Sequence, residues 1–304
     1  MNVHQQRPPF PEAEGGVPRH LTLADRARVA REAFPSTLPT AGPDLLVALD
    51  IDGTLLGHDG SLTDAVRGAV QDLVASGAHV VLSTGRAVPA LLPVAEMLGL
   101  RSGWTVTSNG AVTGTLAHAS PLRVDVTDIV TFDPTDALAV LGAELPDAHF
   151  AVEIPGGFKV NRPFPDGELT GEMVVVPFAE LASEPVTRVT MRAPELDAQD
   201  FHDLVARVGL HGVGYAVGWT AWLDISPEGV SKASALETVR QRLGVSPGAT
   251  VAIGDGMNDV EMLGWAAHGV AMGNAGATLR DVADAVTATV QDDGAAVVLR
   301  GLLG

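Results

Sequence analysis

From residue 45 onward the chain alternates apolar runs with segments whose apolar positions fall at helical spacing. "LLVALD" predicts a buried strand, and residues 62–76 place apolar groups on one helical face. Gly77 stands where a C-terminal glycine ends a helix. "HVVLSTG" predicts a second strand, residues 87–98 a second helix and "WTVTSNG" a third strand. Strand alternating with helix implies a parallel, doubly wound α/β sheet. Residues 113–229 break that rhythm: a helix over 134–144, strands at "HFAVEI", "GFKVN", "MVVVPF" and "VTRVTMR", a helix over 197–208, then "VGYAV" and "AWLDIS". Helix–strand–strand units predict an inserted α+β domain, an antiparallel sheet with helices on one face. The first rhythm then resumes, with helices over 231–243 and 257–266 and strands at "TVAIGD", "GVAMGN" and "AVTATV". The expected division is a core of 44–112 and 230–304, an insert of 113–229, and residues 1–43 as an extension outside the main fold, partly helical or disordered.

Composition narrows the possible partners. The 304 residues are 46% hydrophobic, ample for a large core or two domains. With 37 acidic against 19 basic residues, the formal net charge of −18 disfavours nucleic acid and anionic membranes, whose binding relies on Lys and Arg. No apolar run approaches the roughly 18–20 residues of a membrane span. The N-terminal segment lacks the pattern of a signal peptide. The chain has no cysteine, which excludes disulfides and thiolate metal sites and fits a reducing cytoplasm. A soluble cytoplasmic protein is expected.

The polar chemistry gathers after the strands, where open α/β sheets bind ligands. Asp50 and Asp52 end the first strand, and alternation aims both to one side. Ser83-Thr84-Gly85-Arg86 follows the second strand and Ser108-Asn109-Gly110 the third. Gly254-Asp255-Gly256-Met257-Asn258-Asp259 follows the strand after the insert, and Lys232 opens the helix that re-enters the core. One aspartate can attack an electrophile, and a second can protonate the leaving oxygen and then deprotonate water. Asp255 and Asp259 add hard oxygen ligands suited to Mg²⁺, which would let an anionic substrate approach an acidic site. Thr84 and Lys232 can donate to phosphoryl oxygens.

"DIDGTLL", "STGR", "SNGA", "GVSK" and "GDGMNDVEML…GVAMGNA", in this order, resemble the haloacid dehalogenase superfamily, and most of all its Cof-type phosphatases of subclass IIB. The motifs cover about 44–112 and 229–282. The insert matches only by position and pattern, and the first 43 residues do not match. The resemblance implies a Rossmann-like core with a cap domain that opens and closes over the site. It implies Asp50 as nucleophile and Asp52 as general acid/base, with Mg²⁺ held by Asp50, the Asp52 carbonyl and Asp255, and by Asp259 directly or through water. Thr84 and Lys232 match phosphate-binding positions, Asn258 orients ligand or metal, Asn274 lies near the site, and Gly85, Asn109 and Gly110 line the substrate side. The implied reaction is Mg²⁺-dependent hydrolysis of a small phosphorylated metabolite, a sugar or polyol phosphate, through an aspartyl-phosphate.

Competing assignments stand beside these. A phosphomutase would use the same nucleophile, and a non-catalytic ligand-binding member would have no need of the full acid set. A dehalogenase would not need Asp52, because a departing halide takes no proton. Thr84 could bond only to its own turn, Asp255 and Asp259 could cap a helix, and Arg86 could bind substrate or pair with an acid. His58 is expected at the surface, and Trp104, Trp219, Trp222 and Trp265 in packing, with Trp219 or Trp222 as alternative sugar contacts. Glu153, Lys159, Asn161 and Arg162 are candidate cap contacts to substrate.

Overall fold

The structure is a computed structural model that describes residues 21–165, 168–208, 213–217 and 221–304. It divides into two compact units, residues up to Val80 with Leu243–Gly304, and Val81–Arg242. The first unit begins with α1 (Leu23–Glu32), β1 (Leu46–Leu49), α2 (Asp64–Ala75) and the start of β2 (His79–Ser83). The second continues with α3 (Val88–Leu98), β3 (Trp104–Thr107), β4 (Val112–Ala117), β5 (Arg123–Ile129) and α4 (Thr135–Glu144). It then adds β6 (His149–Ile154), β7 (Gly157–Val160), β8 (Glu172–Val175) and β9 (Val189–Arg192). α5 (Ala198–Val208), β10 (Val213–Val217), β11 (Trp222–Pro227) and α6 (Lys232–Leu243) close it. The first unit resumes with β12 (Thr250–Gly254), α7 (Val260–Trp265), β13 (His268–Ala271), α8 (Ala277–Val282), β14 (Ala285–Val286) and α9 (Gly294–Leu303).

The first unit is an α/β layer. Its strands run β14-β13-β12-β1, all parallel, with Leu49 beside Ile253 and Ile253 beside Val270. Every residue of β1 and β12 is buried, as expected of parallel strands covered on both faces. In α2 the Thr63 side chain accepts the Val66 N–H, and Val66, Ala69, Val70 and Leu73 form the buried stripe. Gly77, at φ 90°, follows this helix as the sequence predicts.

Residues 23–32 do not lie outside the fold. They form α1, which packs on α9 through Ala27 and Ala30, and a Cβ on Gly301 would stand 2.9 Å from the Ala27 carbonyl. The sequence reading placed no element at α9 itself. Residues 1–20 of the expected extension lie outside the described residues.

In the second unit β2 and β3 are parallel, and β3, β4 and β5 are antiparallel. β4 and β5 lie in a stretch that suggested no strand, and they join β3 rather than the second sheet. A register shift at Thr113/Gly114 breaks the alternation that would have shown them. The second sheet runs β10-β11-β9-β6-β7-β8 and is antiparallel except for β7 with β8. One face packs on α4 and α5, where Phe150, Val152, Met191 and Leu223 meet Leu138, Leu141, Phe201 and Val205. The chain is thus an α/β protein with a parallel-sheet core and a second sheet carrying helices on one face. Among the described residues no helix is long and apolar enough to cross a membrane.

Candidate active site

Each unit gathers part of the expected residue set. In the first, three adjacent parallel strands end side by side, which brings Asp50, Asp255 and Asn274 to the same end. The Asp50 N–H donates to the Ile253 carbonyl at 3.0 Å, and the Met272 N–H to the Gly254 carbonyl at 2.9 Å. Asp50, Asp255 and Asp259 are all buried and each offers a carboxylate oxygen, the three lying within 4.8 Å of one another.

Backbone shape makes that approach possible. Gly53 has φ 76°, and a Cβ there would fall 2.1 Å from Asp255 Oδ2. A Cβ on Gly254 would lie 2.5 Å from Asp259 Cγ. Asp259 Oδ2 accepts the N–H groups of Asp255 and Gly256, both at 2.9 Å, so this carboxylate closes the loop that carries Asp255. Asn274 Nδ2 donates to the Gly53 carbonyl at 2.9 Å and to Asp255 Oδ2 at 3.0 Å. Its Oδ1 accepts the Val290 N–H. Asn274 therefore fastens the "DIDG" turn to Asp255, a role its place in the sequence left unassigned.

Two unit charges about 4 Å apart at an effective dielectric near 20 repel by about 4 kcal/mol, so three clustered carboxylates offer a favourable site for a cation. An all-oxygen donor set with room made by glycine fits Mg²⁺. The Asp52 side chain is outside this trio and exposed, Asn258, next to Asp259 in sequence, is half-buried, and His58 is exposed.

In the second unit the expected phosphate-binding residues adjoin one another. The Thr84 N–H donates to the Val106 carbonyl at 2.9 Å, and the Asn109 N–H to the Thr84 carbonyl at 3.1 Å. Thr84 Oγ1 accepts the Arg86 N–H at 3.1 Å, the local turn bond the sequence allowed, and its hydroxyl hydrogen can still donate elsewhere. Ser108 and Asn109 both adopt left-handed backbone, at φ 52° and 53°, and Gly110 follows at φ 103°. A Cβ on Gly110 would stand 2.2 Å from the Ser231 carbonyl oxygen, so only glycine lets this turn touch the start of α6, where Lys232 is 1% exposed.

Of the proposed cap contacts, Lys159 pairs with Glu184 at 2.5 Å, Asn161 bonds the backbone of Phe150 and Ala148, and Arg162 donates to the Asp147 carbonyl. Glu153 is buried against Arg188, as described below. Each of the four therefore already has a partner within the second unit. Arg86 donates to the Ala90 carbonyl, Trp222 packs edge-on against Phe164, and Arg242 lies over the Trp104 ring. Trp265 is half-buried, and Trp219 lies outside the described residues.

Similarity to known proteins fits this arrangement. Residues 47–144 and 161–299 match the haloacid dehalogenase-like hydrolases. The chain is 31% identical over 248 residues to the phosphoglycolate phosphatase of Natronomonas pharaonis, spanning 82% of this chain and 93% of that protein. It is 28% identical over 268 residues to the 5-amino-6-(5-phospho-D-ribitylamino)uracil phosphatase YitU of Bacillus subtilis, spanning 84% and 96%. The solved structure of the subclass IIB sugar phosphatase BT4131 superposes with a TM-score of 0.68 at 22% identity, over 83% of this chain and 96% of that one. At that identity the likeness is one of fold.

Proposed function

The chain belongs to the haloacid dehalogenase-like hydrolases as one of their phosphatases, and from that premise we propose that it hydrolyses a sugar or polyol phosphate with Mg²⁺ through an aspartyl-phosphate. The observation that carries this reading is the buried trio of Asp50, Asp255 and Asp259 at the ends of adjacent parallel strands. An Asp50 carboxylate oxygen attacks phosphorus, and Asp52 gives a proton to the departing substrate oxygen. Asp52 then takes a proton from the water that attacks the aspartyl-phosphate, which releases inorganic phosphate and restores Asp50. Exposure suits Asp52 to this exchange with water.

Asp50, Asp255 and the Asp52 carbonyl would hold Mg²⁺, with Asp259 contributing directly or through water. When bound, the ion neutralises the acidic site and polarises the phosphoryl oxygens. Thr84 and Lys232 hold the remaining phosphoryl oxygens, Asn258 orients ligand or metal, and Gly85, Asn109 and Gly110 shape the substrate side. Residues 44–112 and 230–304 act as the core, and 113–229 as the cap that selects substrate. A cytoplasmic site of action belongs to the same proposal. The ribitylaminouracil-phosphate relative supports a phosphorylated polyol chain as the substrate class.

The test is release of inorganic phosphate by purified protein with Mg²⁺ from a panel of sugar, polyol, nucleotide and aryl phosphates. Release from a sugar or polyol phosphate without isomer formation is the expected result. Silence across the panel overturns the reading, and isomer formation replaces it with a phosphomutase. Mg²⁺ is also expected to raise the melting temperature of wild type, since a ligand at 100 times its Kd stabilises by about 2.7 kcal/mol. Asp255→Ala should abolish that rise; an equal rise in this variant would remove Asp255 from the metal site.

A further inference from the structure

Beyond these roles, one buried charge cluster in the second unit is used by no step above. Glu153 on β6 and Arg188, just before β9, are cross-strand neighbours, and the Glu153 N–H donates to the Arg188 carbonyl. Their side chains are 7% and 5% exposed, and Arg188 Nε donates to Glu153 Oε2 at 2.9 Å. Burying an ion pair costs desolvation that a sheet interior does not require, so its remaining bonds indicate its role. Arg188 Nη1 donates to the Gly85 carbonyl at 2.6 Å, and Ser108 Oγ donates to Glu153 Oε1 at 2.5 Å. Arg188 also lies 3.5 Å from Asp224 Oδ1, whose carboxylate accepts from Thr190, and stacks over Phe158. Burial disfavours the Arg188 cation, but Asp224 and Glu153 more than offset this and hold its pKa above the ordinary arginine value. Arg188 therefore stays charged.

The two outer bonds reach Gly85, next to Thr84, and Ser108, next to Asn109. Those loops also bond each other, Ser108 N–H to the Arg86 carbonyl and Asn109 N–H to the Thr84 carbonyl. Two consecutive non-glycine residues at positive φ persist only where surrounding contacts over-determine them. We propose that Glu153 and Arg188 are positioning residues, a clamp from the second sheet that holds the Thr84–Arg86 and Ser108–Gly110 loops in phosphate-binding shape. A cap carrying this pair therefore acts on the phosphate loops as well as on substrate choice. The catalytic consequence rests on the phosphatase reading, whereas the clamp itself is a property of the fold.

The test combines amide hydrogen exchange with inhibition by inorganic phosphate. It uses the double variant Glu153→Gln/Arg188→Met, which removes both charges together. Exchange at the Arg86, Ser108 and Asn109 amides is expected to rise at least tenfold while β12 amides keep their protection. The inhibition constant for phosphate should rise at least tenfold, and Arg188→Lys should recover part of both losses. Unchanged exchange in the folded double variant, or an equal rise in β12, overturns the clamp. Should the double variant fail to fold, Ser108→Ala decides, with at least a threefold local rise in exchange expected and no change fatal. A wild-type protein inert toward every phosphate ester would remove the phosphatase reading and leave the exchange result to judge the clamp.

Discussion

Replacing Asp50 with asparagine is expected to reduce turnover by about 10⁴-fold or more, the scale seen when a covalent nucleophile is removed. The asparagine side chain matches aspartate in size, so the residue-50 N–H bond to Ile253 and the packing at the end of β1 should survive. What disappears is the anionic oxygen that attacks phosphorus. The measurement is twofold: steady-state phosphate release, and trapping of ³²P from a labelled substrate on acid-quenched protein. Wild type should carry label and the variant none. A variant that retains a tenth of the wild-type rate would remove Asp50 from the nucleophile's role. A folded variant with normal melting, the wild-type rise in melting temperature on adding Mg²⁺ and no label would leave that role as the only one lost.

The largest stability loss is expected from Gly110→Ala. The added Cβ would fall 2.2 Å from the Ser231 carbonyl oxygen and 2.6 Å from its carbon. These are backbone atoms at the start of α6 and cannot swing aside as a side chain would. The φ of 103° adds strain for any L-residue. Together these should cost about 2–4 kcal/mol, the range of strained and overpacked sites. Gly229→Ala separates the two effects, because Gly229 has φ 71° but nothing within 4 Å of its Cβ position. It should lose about 1 kcal/mol, from backbone strain alone. Chemical denaturation of both variants checks the difference. Equal losses would mean that the contact between the "SNG" turn and α6 is not tight.

Much of this arrangement is legible in the sequence, for local reasons. α2, α4, α5 and α6 show in apolar spacing, and the core strands in short buried runs, because parallel strands covered on both faces admit few polar residues. The acid trio is legible because each carboxylate follows such a run. β4 and β5 are not, since a register shift and a mixed polar surface erase the period-two signal. The packing of α1 on α9 joins the two ends of the described chain, which no window along the sequence can register.

Arg188 marks the boundary most clearly. Its only local signal is a cation third in "VTRVTMR", a run whose apolar positions suit a buried strand. Glu153 invites assignment as a substrate contact because a cap carboxylate is expected to meet ligand. The ion pair that occupies it depends on β6 and β9 being adjacent, although β7 and β8 intervene along the chain. Asn274 is similar: its amide joins Gly53 to Asp255 only because β1, β12 and β13 lie in parallel. By itself the sequence determined the family and which side chains are candidates for its chemistry, since motif spacing and strand ends are local properties. Only the tertiary structure decided which charges face one another, which are already paired and which glycines make room, because desolvation and steric contact depend on neighbours that the fold supplies.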